Sequence, residues 1–100
     1  MVKHMIIWTL KDEYSDEEKL TIKKGVKEGL EGLKGKIPGL IDIKVLTEGI
    51  GSKSADMMLD SSFETAEDLM GYYDHPEHVK VATTRVRPFV KIRSSFDYEV

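Results

Sequence analysis

The chain has no cysteine, only three prolines and a single tryptophan among its 100 residues. Without thiols it can form neither a disulfide framework nor a thiolate metal site, and it cannot use a cysteine nucleophile. No apolar run approaches the roughly 18 residues that a membrane span needs. The longest apolar run near the start, Met5 to Leu10, is too short and lacks the cleavage-site pattern of a signal peptide. We therefore expect no membrane association and a cytoplasmic location.

Charged residues are numerous but evenly mixed, with 15 Lys and Arg against 18 Asp and Glu and a net charge of −3. No basic stripe is present, which argues against nucleic acid as the main partner. A chain that is 40% hydrophobic and 33% charged is typical of a globular protein, and its length suits one domain over residues 1–100.

The hydrophobic periodicity predicts strands and helices in the order β-α-β-β-α-β, which is that of a ferredoxin-like α+β fold with its helices on one face of the sheet. Ser15 and Glu18 form a capping-box pattern, which starts a helix that reaches about Lys34. A second helical region runs from Thr65 to Tyr73, and His75-Pro76 interrupts it because proline disfavours a helical conformation in the preceding residue. A short helix then leads from Pro76 to near Arg87-Pro88. Strands are predicted at Val2–Leu10, Ile41–Val45, Ala55–Phe63 and Val90–Tyr98, and a loop at Gly49, Gly51 and Ser52.

The first strand is apolar on both of its faces, although helices cover only one face of such a sheet. A bare apolar face usually marks an interaction surface, and packing two such faces together would bury it. We therefore predict a homodimer through the sheet faces, a dimeric α/β barrel. One face of this strand carries His4, Ile6, Trp8 and Leu10, and the other carries Met5, Ile7 and Thr9. The second strand alternates polar residues with Ile41, Ile43 and Val45. The bare face also includes Leu40, Leu46 and Met58.

The segment Gly71-Tyr72-Tyr73-Asp74-His75-Pro76-Glu77-His78-Val79 holds two of the three histidines. Together with the opening Val2–Ile7, with Phe63-Glu64-Thr65 and with Phe96-Asp97-Tyr98, it resembles the stress-responsive A/B barrel (Dabb) family. The resemblance covers essentially the whole chain, and Tyr-x-x-His-Pro-x-His is its most specific part.

This resemblance implies a chemistry, because a plant polyketide cyclase of the family closes a linear poly-β-keto thioester by intramolecular aldol condensation without metal or organic cofactor. Its general base matches His78 and its assisting tyrosine matches Tyr72. Two further histidines that line its pocket, and so bind substrate, match His4 and His75. A small apolar carbonyl compound is the implied ligand. The sequence departs from that cyclase at Tyr73, Asp74 and Glu77, where the cyclase has apolar or small residues.

Elementary electrostatics bear on His78 independently of the resemblance. If Pro76 is the first helical residue, His78 lies in the first turn, where the helix dipole disfavours the imidazolium form. Glu77 and Asp74 act in the opposite direction, so the sign of the pKa shift stays open at this point. Tyr72 can donate a hydrogen bond to a carbonyl oxygen that gains negative charge on enolisation.

Structural roles compete with each of these assignments. His4 on a strand can be a satisfied core residue, His75 before a proline can cap a helix, and His78 can form a structural hydrogen bond with Tyr72. A metal site of His75 and His78 with His4 is disfavoured, since Pro76 breaks the helical spacing. The glycines of the first helix allow either close packing on the sheet or room for a pocket: Gly25, Gly29 and Gly32.

Three functions follow as alternatives: a cofactor-free enzyme that enolises a carbonyl compound, a non-catalytic ligand-binding or structural barrel, and a monooxygenase-like dimeric barrel. For the first, we predict that His4, Tyr72 and His78 converge on one cavity between the sheet and the helices of a single subunit.

Overall fold

A computed structural model describes residues 1–51 and 54–100, so Ser52 of the expected loop lies outside the described residues. The described chain forms one antiparallel four-stranded sheet in the order β2-β3-β1-β4. This arrangement confirms the ferredoxin-like α+β fold. The strands are β1 (Val2–Leu10), β2 (Leu40–Leu46), β3 (Met57–Phe63) and β4 (Val90–Glu99), and the α-helices are α1 (Asp16–Glu31), α2 (Ala66–Asp74) and α3 (Pro76–Val81).

Helix α1 begins at the expected capping box. The Glu18 backbone N–H donates to Ser15 Oγ at 3.1 Å, and the Ser15 N–H donates to Glu18 Oε1 at 2.8 Å. The helix ends at Glu31 with Gly32 as its C-cap, three residues before the expected Lys34. A Cβ atom at Gly29 would lie 2.8 Å from side-chain carbons of Val81 and Arg85. Close packing therefore explains Gly29, although the neighbour is the α3 region rather than the sheet.

The helical stretch after His75 changes its winding twice. It is α-helical as α3, π-helical over Ala82–Val86 and 3₁₀-helical over Arg87–Phe89. The Arg87 N–H donates to the Ala82 carbonyl five residues earlier, which closes the wide π turn. Pro88 has no N–H to continue an α-helix. The single helix predicted from the sequence therefore ends in a wide π-helical turn followed by a tight 3₁₀ turn.

Strand β2 corrects one expectation from the sequence. Its pairing with β3 matches Leu40 with Phe63 and then Asp42 with Ser62, so Ile41 is an extra residue in a bulge. Leu40 consequently packs against the core, while Ile41 is exposed; the alternation had placed them the other way round. Because a one-residue shift moves every side chain to the other face, the bulge is invisible to a simple period-2 pattern.

One face of the sheet carries the hydrophobic core and the other stays open. Helix α1 packs on β2, and α2 packs on β1 and β3, over a core that includes Val26, Leu30, Val45 and Phe63. In the part of the chain that is described, no helix is both long and apolar enough to cross a membrane. The opposite face exposes a row of large apolar side chains: Ile7, Leu46, Ile92, Phe96 and Tyr98.

Candidate functional site

A cavity of about 450 Å³ lies between the sheet and the helices. Its inner walls are apolar, and its polar groups come from several elements that are distant in sequence. Strands β1, β3 and β4 form one side, and α1, α2, α3 and the π-helical segment form the other. The lining residues are His4, Ile6, Trp8, Leu30, Leu59, Tyr72, Tyr73, His78, Ala82, Val86, Arg87, Val90, Lys91 and Arg93.

Strand β4 supplies the polar side of the cavity because its helix-facing positions are not apolar. Directly paired residues of neighbouring strands point to the same face. Arg93, Ser95 and Asp97 therefore face the same side as their inward-pointing partners on β1: Trp8, Ile6 and His4. Because these polar residues offer little apolar surface for a helix to bury, the space above this edge strand remains open.

His4 is held in a hydrogen-bonded network at the floor of the cavity. Its Nδ1 lies 2.5 Å from Asp97 Oδ1, and the Tyr73 hydroxyl donates to Asp97 Oδ2 at 3.2 Å. The same hydroxyl oxygen lies 3.3 Å from His4 Nδ1. A carboxylate only accepts, so the proton of a neutral His4 lies on Nδ1 and Nε2 carries the lone pair.

His4 is neutral in this environment. Burial lowers its pKa below the ordinary 6.5, although the Asp97 carboxylate acts to raise it. The ring is 0% exposed, and Nε2 is fully enclosed without a hydrogen-bond partner among residues 1–51 and 54–100. Enclosed polar atoms without partners are rare, so this nitrogen marks an unusual point in the core.

His78 reaches the cavity from the first turn of α3. Its Nδ1 lies 3.3 Å from the Tyr73 carbonyl oxygen, which fixes the proton on Nδ1 and leaves the Nε2 lone pair free. The ring stacks on Tyr72, with centroids 4.1 Å apart. Burial is the main cause that lowers its pKa, the Tyr73 carbonyl opposes it, and the positive charge of Arg87 adds to the lowering. The open sign of this shift is thereby decided in favour of a neutral imidazole.

Tyr72 is almost completely buried between Phe63 and His78. Burial raises the pKa of its phenol well above the ordinary 10, so the hydroxyl keeps its proton and can donate. The hydroxyl makes no hydrogen bond within the described chain, and it is not among the fully enclosed polar atoms. Its small exposed area therefore includes the hydroxyl oxygen.

The structure brings His4, Tyr72 and His78 together on this cavity, but not His75. The His75 Nδ1 instead accepts the Glu77 backbone N–H at 3.1 Å and caps α3, which is the structural role that competed with substrate binding. Across the residues that the structure describes, no three His, Asp or Glu side chains come close enough together to hold a metal ion.

Sequence reasoning missed two members of the site, Asp97 and Tyr73. Tyr73 stood out only as a departure from the cyclase pattern, and Asp97 only as part of the Phe96-Asp97-Tyr98 motif. On β4, Asp97 alternates with Phe96 and Tyr98, but this alternation does not show which of the two faces lies under the helices. Its pairing with His4, 93 residues away, required the strand register.

The comparisons with known proteins agree with the fold. The sequence profile of the family described as "Stress responsive A/B Barrel Domain" matches residues 2–100. A dimeric protein of unknown function with a ferredoxin-like fold from Bacteroides fragilis is 31% identical, with a TM-score of 0.91 over 99% of this chain and 95% of that chain. No curated protein matches the sequence.

Two more distant structures carry enzyme names. Hydroxynitrile lyase from Passiflora edulis is 16% identical, with a TM-score of 0.72 over 97% of this chain and 90% of its own. A putative antibiotic biosynthesis monooxygenase from Nitrosomonas europaea is 12% identical, with a TM-score of 0.76 over 100% of this chain and 98% of its own. At these identities the likeness shows the shared fold alone.

Proposed function

The chain belongs to the stress responsive A/B barrel domain family, and we propose that it is a cofactor-free enzyme that enolises a small carbonyl compound. One observation carries the proposal. His78, with a lowered pKa and a free Nε2 lone pair, lies against Tyr72 in a largely apolar cavity. A neutral base next to a protonated hydroxyl is the pair that proton abstraction beside a carbonyl requires.

His78 is a better base than His4 because substrate can reach it. The His78 ring is partly exposed, whereas His4 has no accessible surface and its Nε2 is enclosed. His4 therefore acts as a wall of the cavity that Asp97 holds in one orientation. His75, whose side chain caps α3, supports His78 indirectly because it holds the first turn of the helix on which His78 lies.

The step moves one proton. The bond between hydrogen and the α-carbon breaks, and the proton goes to His78 Nε2. The electron pair forms the carbon–carbon double bond of the enolate, whose oxygen takes the negative charge and accepts the Tyr72 hydrogen bond. The enolate then either takes back a proton from His78 or attacks a second carbonyl group of the same molecule, as in an aldol cyclisation.

Hydrogen–deuterium exchange at the α-carbon of β-keto thioesters tests this step without knowledge of the product. Positioned proton transfer is typically worth about 10²–10⁴-fold in rate, so His78→Ala should lower catalysed exchange by that order. Val79→Ala, on the exposed side of the same turn, is the matched control and should exchange like wild type. Equal exchange by wild type and His78→Ala would refute the role of His78.

The same cavity also suits a ligand-binding barrel without turnover, because its apolar walls can hold a ligand whether or not a proton moves. Ligand binding without exchange across a broad panel of carbonyl compounds would favour that alternative. The monooxygenase alternative has only the shared fold in its support.

We further propose that two chains pack their open sheet faces together. The apolar row on that face supports it, as does the dimeric state of the Bacteroides fragilis protein. Light scattering at micromolar concentration should give about twice the chain mass of 11.4 kDa. Ile7→Glu, on β1 of that face, should give the monomer mass, because an unpaired buried charge costs several kcal/mol. Lys24→Glu, at an exposed position of α1 on the helix side of the sheet, is the control, and a monomeric wild type would refute the dimer.

A further inference from the structure

Three cationic side chains line the site cavity on the side of β4. Arg87 follows the π-helical segment, and Lys91 and Arg93 lie on β4; all three are exposed, so they form the rim of the cavity. Lys91 Nζ is 2.7 Å from Asp12 Oδ2 and is therefore paired. Arg87 and Arg93 form no ion pair within residues 1–51 and 54–100. Two guanidinium groups at the mouth of one cavity thus have unused hydrogen-bond donors.

Nothing else that lines the cavity balances this charge. The histidines are neutral, and no carboxylate is among the described lining residues. Asp97, the nearest acidic group to His4, is already occupied by His4 and Tyr73. Arg93 lines the same cavity as Tyr72 and His78, and its positive charge acts to lower the pKa of both, although burial raises that of Tyr72 overall. The cavity therefore combines apolar inner walls with a positive mouth.

We propose that the ligand of this cavity is an amphiphilic anion, whose apolar chain lies inside and whose oxyanion headgroup, a carboxylate or phosphate, binds Arg87 and Arg93 at the rim. Guanidinium groups present forked donors that match both headgroups. For an enzyme, the substrate class is a keto acid anion or a phosphate-bearing keto thioester. The position of its carbonyl beside His78 rests on the proposed function, whereas the headgroup site does not.

Trp8 gives a direct reporter of binding, because it is the single tryptophan and lines the cavity. Its indole N–H signal can be followed by NMR during titration with hexanoate, hexyl phosphate or neutral hexanamide. We expect the anions to shift this signal and to bind about tenfold more tightly than the amide. Arg87→Gln and Arg93→Gln should each weaken anion binding about threefold to tenfold, since both groups are exposed, and should leave amide binding unchanged. The two anions separate a carboxylate site from a phosphate site.

Lys80→Gln is the matched control, because it removes one positive charge from exposed α3 outside the cavity. Anion binding by this variant should stay within about twofold of wild type. The proposal is overturned if hexanamide binds wild type as tightly as the anions do. It is also overturned if the Arg87→Gln, Arg93→Gln double variant still binds the anions more tightly than hexanamide, or if Lys80→Gln weakens anion binding as much as the arginine variants do.

Failure of the proposed function gives a different result. Exchange at the α-carbon of 3-oxohexanoate and of its ethyl ester should be compared in wild type and His78→Ala. If wild type exchanges 3-oxohexanoate faster than its ethyl ester, and if this difference disappears in Arg93→Gln, both proposals are supported. Absence of exchange across the panel of carbonyl compounds, with intact arginine-dependent anion binding, counts against the enzyme but retains the headgroup site.

Discussion

The helix-facing side of the sheet has two halves, which differ in the polarity of their inward residues and in whether a core or a cavity lies above them. Over β2 and β3, inward residues such as Val45, Leu59 and Phe63 pack beneath the helices. Over β4, the inward residues are Arg93, Ser95 and Asp97, and a cavity takes the place of a core. Strand β1 lies between the halves and contributes to both. Because β4 keeps polar residues on its inward face, no apolar core forms above it. The space that remains can hold a binding site within this small single domain.

The two halves also differ in what burial does to the side chains. In the packed half it contributes free energy of folding through apolar area removed from water. At the border of the cavity half it lowers the pKa of His4 and His78 and raises that of Tyr72. The same desolvation that stabilises one half tunes the proton affinity of the other.

The largest expected effect tests the packed half. Phe63→Ala removes a fully buried ring and should lower the free energy of unfolding by about 3–5 kcal/mol, measured by urea denaturation. Ser95→Ala, an inward residue of the cavity half, should change it by less than about 0.5 kcal/mol. Similar losses in both variants would contradict the division into a packed half and an open half.

The next effect concerns the Asp97 contact to His4. Asp97→Asn replaces a charge-assisted hydrogen bond with a neutral one and should cost about 1 kcal/mol of stability, since the carboxylate is 37% exposed. The His4 pKa, followed by NMR, should fall further because the carboxylate raises it. Glu99→Gln, the next inward position of β4, has the same charge change and should leave the His4 pKa as it is.

A further effect on stability should appear as the pH changes. The pKa values of His4 and His78 lie below the ordinary 6.5 in the folded chain, so the unfolded chain binds more protons just below that pH. Stability should thus be constant above about pH 6.5 and fall on acidification, with each histidine contributing at most about 1.4 kcal/mol per pH unit. Denaturation of His78→Gln between pH 7 and 5 should show a shallower slope. A wild-type stability that rises on acidification in this range would show that the shifts have the opposite sign.

The smallest effect is that of the Tyr72 hydroxyl. Tyr72→Phe keeps the ring on His78 and removes one neutral donor, so catalysed exchange should fall about threefold to tenfold, less than in His78→Ala. Tyr14→Phe, whose ring lies beside Phe89 away from the cavity, is the control. A loss as large as that of His78→Ala would make Tyr72 the essential group of the pair.

Several features of the fold could be predicted residue by residue. The capping box at Ser15, the extent of β1 and the break at His75-Pro76 depend on local patterns, and the structure contains all three. Local patterns failed where one residue alters a register, as at the Ile41 bulge, and where a helix changes its winding before Pro88. The grouping of His4, Tyr72 and His78 was available through the family resemblance, whereas the contacts of Asp97 and Tyr73 with His4 were not.

By itself, the sequence determined which residues of β1 and β3 share a face, where the helices start, and that His78 lies in the first turn of a helix that begins at Pro76, because period, capping and proline sterics act over a few residues. Only the tertiary structure decided that the pKa of His78 is lowered, that His75 is turned away from the cavity, and that Asp97 lies beside His4. It also placed at the cavity mouth two arginines that form no ion pair among residues 1–51 and 54–100. A pKa depends on burial and on charges distant in sequence, and strand register brings those charges together.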